Sequence, residues 1–296
     1  PGEIARLAAI AEPTVALVNN AQREHQEFMH TVEAVARENG AVLQALAADG
    51  VAVFPGDEEY TALWRELAGE RDVLTFGLSD ECDVRATYTV TDFGSELKVT
   101  SEAQGATEPL RFTINLAAAG VHNVRNALAA IACARAAGIP VDAIVRGLEA
   151  FAPVSGRLQR KQAVSGATVI DDSYNANPDS VRAAIDVLAQ HASPRILVLG
   201  DMGEVGTQGP EFHQEIGAYA ASRGIDTVLA TGDLARHLVG SGAQHYEQFD
   251  ELLAALDQKL GSKSDATVLV KGSRFMKMER VVQHLIASTN TGKEAH

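Results

Sequence analysis

Between residues 169 and 180 the sequence reads VIDDSYNANPDS. An apolar run stops at two carboxylates, Asp171 and Asp172. Ser173, Tyr174, Asn175 and Asn177 then follow, before Pro178 and Asp179 open a helical segment. Capping a helix explains an Asn, a Ser or an Asp at such a place. It does not call for two acids, two amides and an aromatic together. Groups of this kind at a strand end can hold a polar ligand. LVKGSR (269–274) is a second apolar run that ends in polar groups, here Lys271, Ser273 and Arg274. In GVHNVRNALAA (120–130), Asn123 and Asn126 lie at the start of an Ala-rich helix. A helix N-terminus favours anions and polar ligands. Asn123 alone could be a cap, whereas Asn126 lies a turn further on, and an Asn amide can pair bidentately with an adenine edge. In REHQEF (23–28), His25 sits beside acids as a metal ligand can, although Mg²⁺ prefers oxygen and a lone His is more often structural.

These groups need elements to position them. Short apolar runs at 14–20, 50–56 and 73–79 alternate with helical spacing at 31–47 and 58–68, which predicts a parallel sheet. Residues 83–116 alternate apolar and polar with turn signals, an antiparallel meander of three strands, and helices follow at 122–137 and 141–151. Pro, Ser and Gly in FAPVSGR (151–157) mark a boundary, giving domains 1–152 and 153–296. From 167 the strands ATVIDD, RILVLGD, TVLATG, QHYEQ and ATVLVKG alternate with helices at 178–191, 210–223, 233–240, 249–260 and 277–287. The pattern is that of a doubly wound, Rossmann-like sheet, in which ligands bind beyond the carboxyl ends of the strands. Asp171, Asp172, Asp201, Asp233, Lys271, Ser273 and Arg274 then converge on one rim. LGDMGEVGTQG (199–209) spaces Gly200, Gly203 and Gly206 three apart, unlike a dinucleotide fingerprint, and reads as a turn of close backbone approach.

The net charge of −14, from 25 basic and 39 acidic side chains, argues against nonspecific binding to nucleic acid or an anionic membrane. No apolar stretch approaches the roughly 18 residues of a membrane span, and no signal peptide is visible. Two cysteines in unrelated contexts fit a reducing cytoplasm.

In order and spacing, LVNNAQREHQEF, GVHNVRNALAA, SGRLQ, DDSYNANPDS, LGDMGEVG and LVKGSR resemble the Mur ligase family over essentially the whole chain. The resemblance implies an ATP- and Mg²⁺-dependent amide-bond ligase of peptidoglycan precursor synthesis. The tyrosine in DSYNAN, with GDM and KGSR, points to the branch that adds D-alanyl-D-alanine to UDP-N-acetylmuramoyl-tripeptide. In that chemistry a substrate carboxylate is phosphorylated, and an amine attacks the acyl phosphate.

By motif, His25 resembles a catalytic metal-binding histidine and Asn126, beside Asn123, an adenine contact. Arg157 matches an arginine on the nucleotide phosphates, and Asp172 an acid on the ribose. Tyr174, Asn175, Asn177, Ser273 and Arg274 match the amino-substrate side, with Lys271 among the catalytic groups. Two departures stand out. A Gly-Lys-Thr phosphate loop and the domain that holds the UDP-sugar are not in these residues; TNTGKE (289–294) lacks the hydroxyl and the helix. The expectation is a chain that begins partway through the central ATPase domain and is inactive without its N-terminal half. Asn39 stands where many relatives carry a carbamylated lysine. Two alternatives stay open: another ligase of the superfamily, of folylpolyglutamate or cyanophycin type, or a nucleotide-binding module without chemistry.

Overall fold

The computed structural model describes residues 1–23, 26–102, 108–261 and 265–287. Two compact units divide the chain, Pro1–Ala152 and Pro153–His296.

The first unit runs α1 (Glu3–Ala11), β1 (Val15–Leu17), α2 (Gln26–Met29), α3 (Val32–Gln44), β2 (Val51–Pro55), α4 (Thr61–Ala68), β3 (Asp72–Gly77), β4 (Val84–Thr91), β5 (Gly94–Ser101), β6 (Leu110–Leu116), α5 (Val121–Ala136) and α6 (Val141–Glu149). Its six strands lie in sequence order. β1 to β4 pair in parallel, and β4, β5 and β6 form the antiparallel meander. Successive residues of a strand face opposite sides. In β2, accordingly, Val53 enters a core with α5 and α6, while Ala52 and Phe54 enter a second core with α3 and α4. Trp64 fills that second core, and its indole N–H finds the Ala36 carbonyl at 3.0 Å, which meets the need of a buried donor. The small residues Ala127, Ala129 and Ala132 let α5 lie close on the other face.

The second unit runs β7 (Gln159–Gln162), β8 (Thr168–Asp172), α7 (Pro178–Ala189), β9 (Arg195–Leu199), α8 (Gly209–Ser222), β10 (Thr227–Thr231), β11 (Gln244–Tyr246), α9 (Phe249–Leu260), β12 (Thr267–Lys271) and α10 (Glu279–Ile286). Strand order is β11-β10-β9-β12-β8-β7, parallel except for β7 against β8. β12 therefore inserts between β8 and β9. α9 and α10 share a core with Val169, Ile196, Val198, Val268 and Val270, and α7 packs against β9, β12 and α8. The helices that follow β8 and β12 thus leave on opposite faces, which opens a crevice at the carboxyl ends of those neighbouring strands.

Two expectations are corrected. The helix expected at 233–240 is a 3-10 helix, Ala235–Ser241. Gly240 and Gly242 at its end leave too few good helix formers to continue it. The helix expected from 277 begins at Glu279, because Lys277 takes a left-handed φ of 51°. β7 was not expected at all.

Candidate functional site

The crevice residues of the second unit separate into buried braces and an exposed face. Register places Lys271 of β12 opposite Asp172 of β8. The Lys271 ammonium donates to Asp172 Oδ2 at 2.6 Å and to the Asn175 carbonyl at 2.9 Å, and its side chain is 4% exposed. Asp172 Oδ1 accepts the Leu158 N–H at 3.1 Å. Burial pushes the Asp172 carboxyl above its ordinary range, against the pull of Lys271 and the Leu158 N–H. Lys271, expected among the catalytic groups, braces the strand end and the loop to which both its partners belong. Asp171 is buried beside it and takes Lys161 Nζ and Ser173 Oγ, each at 2.6 Å.

Asn177 caps α7 through a capping box, accepting the Ser180 N–H at 2.7 Å while its own N–H donates to Ser180 Oγ. Ser273 is buried, donates to the Ala176 carbonyl at 3.1 Å and accepts the Gly203 N–H at 2.6 Å. Gly203 permits that approach, since a Cβ there would meet Phe275 at 2.8 Å. Asp201 points back into the unit, where it accepts Leu234 and Ala235 N–H at the 3-10 helix start. The glycine loop 200–209 is held at Met202, whose N–H donates to His213 Nε2 at 3.1 Å, with Nδ1 on the Gly209 carbonyl at 2.7 Å.

Tyr174, Asn175, Arg157 and Arg274 form the exposed face. Tyr174 is 47% exposed. The Arg157 guanidinium lies 4.4 Å from its ring centroid and that of Arg274 5.9 Å. Arg274 also pairs with Glu279 at 3.1 Å. Asn175 turns its side-chain oxygen to the Ala176 N–H.

In the first unit, Asn126 Oδ1 accepts Asn19 Nδ2 at 2.9 Å, and Asn126 Nδ2 leans toward Asn123 Oδ1 at 3.4 Å. The Asn123 side-chain amide donates to the Ala119 carbonyl at 2.7 Å. An amide oxygen has two lone pairs and the NH₂ two donors, so Asn126 keeps one of each for a base edge. The N-terminal part of α5 is pinned from the loop after β2: Arg125 grips Asp57 bidentately at 2.8 and 3.0 Å. Burial alone would raise the Asp57 carboxyl, but Arg125 and the Leu78 and Ser79 N–H groups hold it below its ordinary range. Asn19 and Arg125 were missed as site residues. The Asn19–Asn20 pair at a strand end was the available signal. Asn39 donates to the Asn20 carbonyl at 3.1 Å, so it braces the same strand end.

His25 lies outside the described residues. Among those described, no group of three or more His, Cys, Asp or Glu is gathered as a metal ion needs. A cavity of about 400 Å³ lies on the meander, lined among others by Arg85, Lys98 and Arg111, and no predicted site residue lines it.

The Mur ligase middle-domain family matches residues 1–134, and the Mur ligase glutamate ligase domain matches 156–274. The chain belongs to the Mur ligase family. The UDP-N-acetylmuramoyl-tripeptide–D-alanyl-D-alanine ligase of Escherichia coli K12 is 35% identical over 96% of this chain and 62% of its own length. Among solved structures, MurF from Acinetobacter baumannii superposes with a TM-score of 0.88 at 31% identity, over 96% of this chain and 62% of its own. MurF from Thermotoga maritima in complex with ADP superposes at 0.83 with 25% identity, over 96% and 64%. The chain thus spans about 62% of the length of the curated relatives it matches.

Proposed function

We propose that this chain is the nucleotide- and amine-handling part of an ATP-dependent ligase that joins D-alanyl-D-alanine to UDP-N-acetylmuramoyl-tripeptide in peptidoglycan precursor synthesis. The observation that carries the reading is likeness to the E. coli ligase of that name along 96% of the chain. The ADP-bound neighbour supports a nucleotide on this fold. In this reading ATP phosphorylates the tripeptide carboxylate. The dipeptide amine then attacks the acyl carbon, the carbon–oxygen bond to phosphate breaks, and the amine gives up its proton.

Asn126 reads the adenine with Asn19 and Asn123 behind it, and Asp172 meets the ribose through the lone pairs that Lys271 and Leu158 leave free. Arg157 meets the phosphates. Its planar guanidinium can bridge two oxygens and offset charge as the phosphoryl group moves. Tyr174, Asn175 and Arg274 face the amino substrate, with Asn177, Ser273 and Lys271 as their braces. His25 and Mg²⁺ belong to the reading as partners of the ATP phosphates. The reading places the chain in the cytoplasm, where nucleotide-linked precursors are made; among the described residues no helix is long and apolar enough to cross a membrane.

The test is an assay with ATP, Mg²⁺, UDP-N-acetylmuramoyl-tripeptide and D-alanyl-D-alanine, reading phosphate release and product mass. Residues 1–296 alone are expected to give no turnover, and the same chain fused to the N-terminal segment of the E. coli relative is expected to give the pentapeptide product. Product with glutamate in place of D-alanyl-D-alanine would favour a folylpolyglutamate-type ligase. Nucleotide binding without any product would favour a binding module.

A further inference from the structure

We infer that Tyr174 is a positioning residue whose exposed ring seats the Arg157 guanidinium for the phosphate groups of a bound nucleotide, with the Arg274 guanidinium at the ring's outer reach. The inference rests on the reading of Arg157 as a phosphate contact and adds what holds it there. Three observations converge. First, a tyrosine 47% exposed gains little from burial, so its place on this face calls for another reason. Second, both guanidiniums lie against that one ring, at 4.4 and 5.9 Å from its centroid, within the roughly 6 Å reach of a cation–π contact. Among the described residues no carboxylate pairs with Arg157, whereas Arg274 has Glu279 at 3.1 Å. The ring therefore holds the Arg157 cation without neutralising it, and the charge stays available to an anion.

Third, the backbone is built to bring ring and guanidinium together. The Tyr174 N–H donates to the Gly156 carbonyl at 3.0 Å, directly before Arg157 in the chain. Gly156 has φ +77°, a region L side chains rarely adopt, and a Cβ there would meet Tyr174 Cβ and N at 3.2 Å. The Lys271 brace on the Asn175 carbonyl fixes the other side of Tyr174. Two like charges near one point repel unless something holds them, and a bound polyphosphate gains most from finding the Arg157 charge already in place.

The experiment uses residues 1–296 and two readouts. In NMR spectra the Arg157 and Arg274 Nε–Hε resonances should sit away from their free positions through the ring current of Tyr174. Tyr174→Leu should return both to free positions, and Tyr174→Phe should keep them displaced. In titrations with ADP, Tyr174→Leu should weaken binding about fivefold, the size of a cation–π contact at a half-exposed place, while Tyr174→Phe stays near the parent. In an Arg157→Ala background, Tyr174→Leu should lose most of that effect, as coupling through one residue requires. Fully additive losses, or undisplaced arginine resonances in the parent, would overturn the inference. If Arg157→Ala itself leaves ADP affinity unchanged, the phosphate reading of Arg157 fails, and the resonances alone still decide whether the ring holds the arginines.

Discussion

Lys271 meets Asp172 at 2.6 Å, and Arg146 meets Asp142 at 2.6 Å. The first pair is 4% and 13% exposed, the second 70% and 68%. Equal length hides opposite physics. In water a pair gains little and is screened by salt. Out of water each charge depends on its partner, and removing one strands the other. The same contrast runs through VIDDSYNANPDS. Asp171 and Asp172 are tied to lysines, while Tyr174 and Asn175 stand in solvent. The buried ties set the loop, and the exposed groups stay open to solvent.

The largest expected effect comes from breaking the buried pair. Lys271→Met should destabilise β8 and β12 by about 3 kcal/mol, the low end for a stranded buried charge because Asp172 can take up a proton. Native-state hydrogen exchange at amides of those strands measures it, and a loss under about 1 kcal/mol would mean the pair is solvated. The sign with pH follows from Asp172. Its folded pKa lies above the ordinary 3.8, so its contribution is fully present below that value and is lost as pH rises through the folded pKa. The Lys271→Met penalty should therefore shrink between pH 7 and pH 4. Adding Asp172→Leu should recover much of the stability, since two apolar groups leave no charge behind.

Next in size is the exposed face. Arg157→Lys keeps the charge and loses the fork, so ADP affinity should fall about tenfold, or roughly 1.4 kcal/mol, with the folded-state stability unchanged. Equal affinity would show that only charge matters at that position. A fall in stability would place Arg157 with the braces instead.

Much of this was legible in sequence, and the failures have physical causes. Every apolar run in a region of strand–helix alternation became a strand, because strands buried on both faces must be apolar. β7, QRKQ, is polar at each position and lies on a sheet edge, so no hydrophobic period announces it. It is held by pairing with β8 and by Lys161 on Asp171. The polar rim of the second unit was readable because parallel strands put their carboxyl ends on one edge. Which of its groups are spent was not readable: the partner of Lys271 lies 99 residues away, and that of Asp201 lies 33 away. Asn177, directly before Pro178, was readable as a helix cap, whereas Asp201 accepts N–H groups 33 residues along the chain, which only the fold shows.

A smaller effect tests a buried tie that carries no charge. Burial holds the His213 imidazole below its ordinary value near 6.5, and Nε2 must stay unprotonated to accept the Met202 N–H. A depressed folded pKa gives a contribution that is present above the unfolded value and is lost as pH falls through the folded one. Exchange at the Met202 amide should therefore show falling protection, after correction for intrinsic rate, as pH drops from 7 toward 5. His213→Gln should flatten that dependence. A slope unchanged by the substitution would assign it to another group.

The smallest effect closes the comparison. Arg146→Ala removes a contact of the same 2.6 Å length as the Lys271 pair, four residues along an exposed helix face. Both partners are well hydrated when apart, and ordering two long side chains costs entropy that offsets the attraction. Asp142 is held below its ordinary pKa by the Arg146 hydrogen bond and charge, yet with no burial that shift is open to screening by salt. The melting temperature of Arg146→Ala should stay within experimental scatter of the parent at physiological salt, and any difference at low salt should vanish as salt is added. A clear loss of stability at high salt would show that burial is not what separates the two pairs, and the buried-brace account of Lys271 would lose its main support.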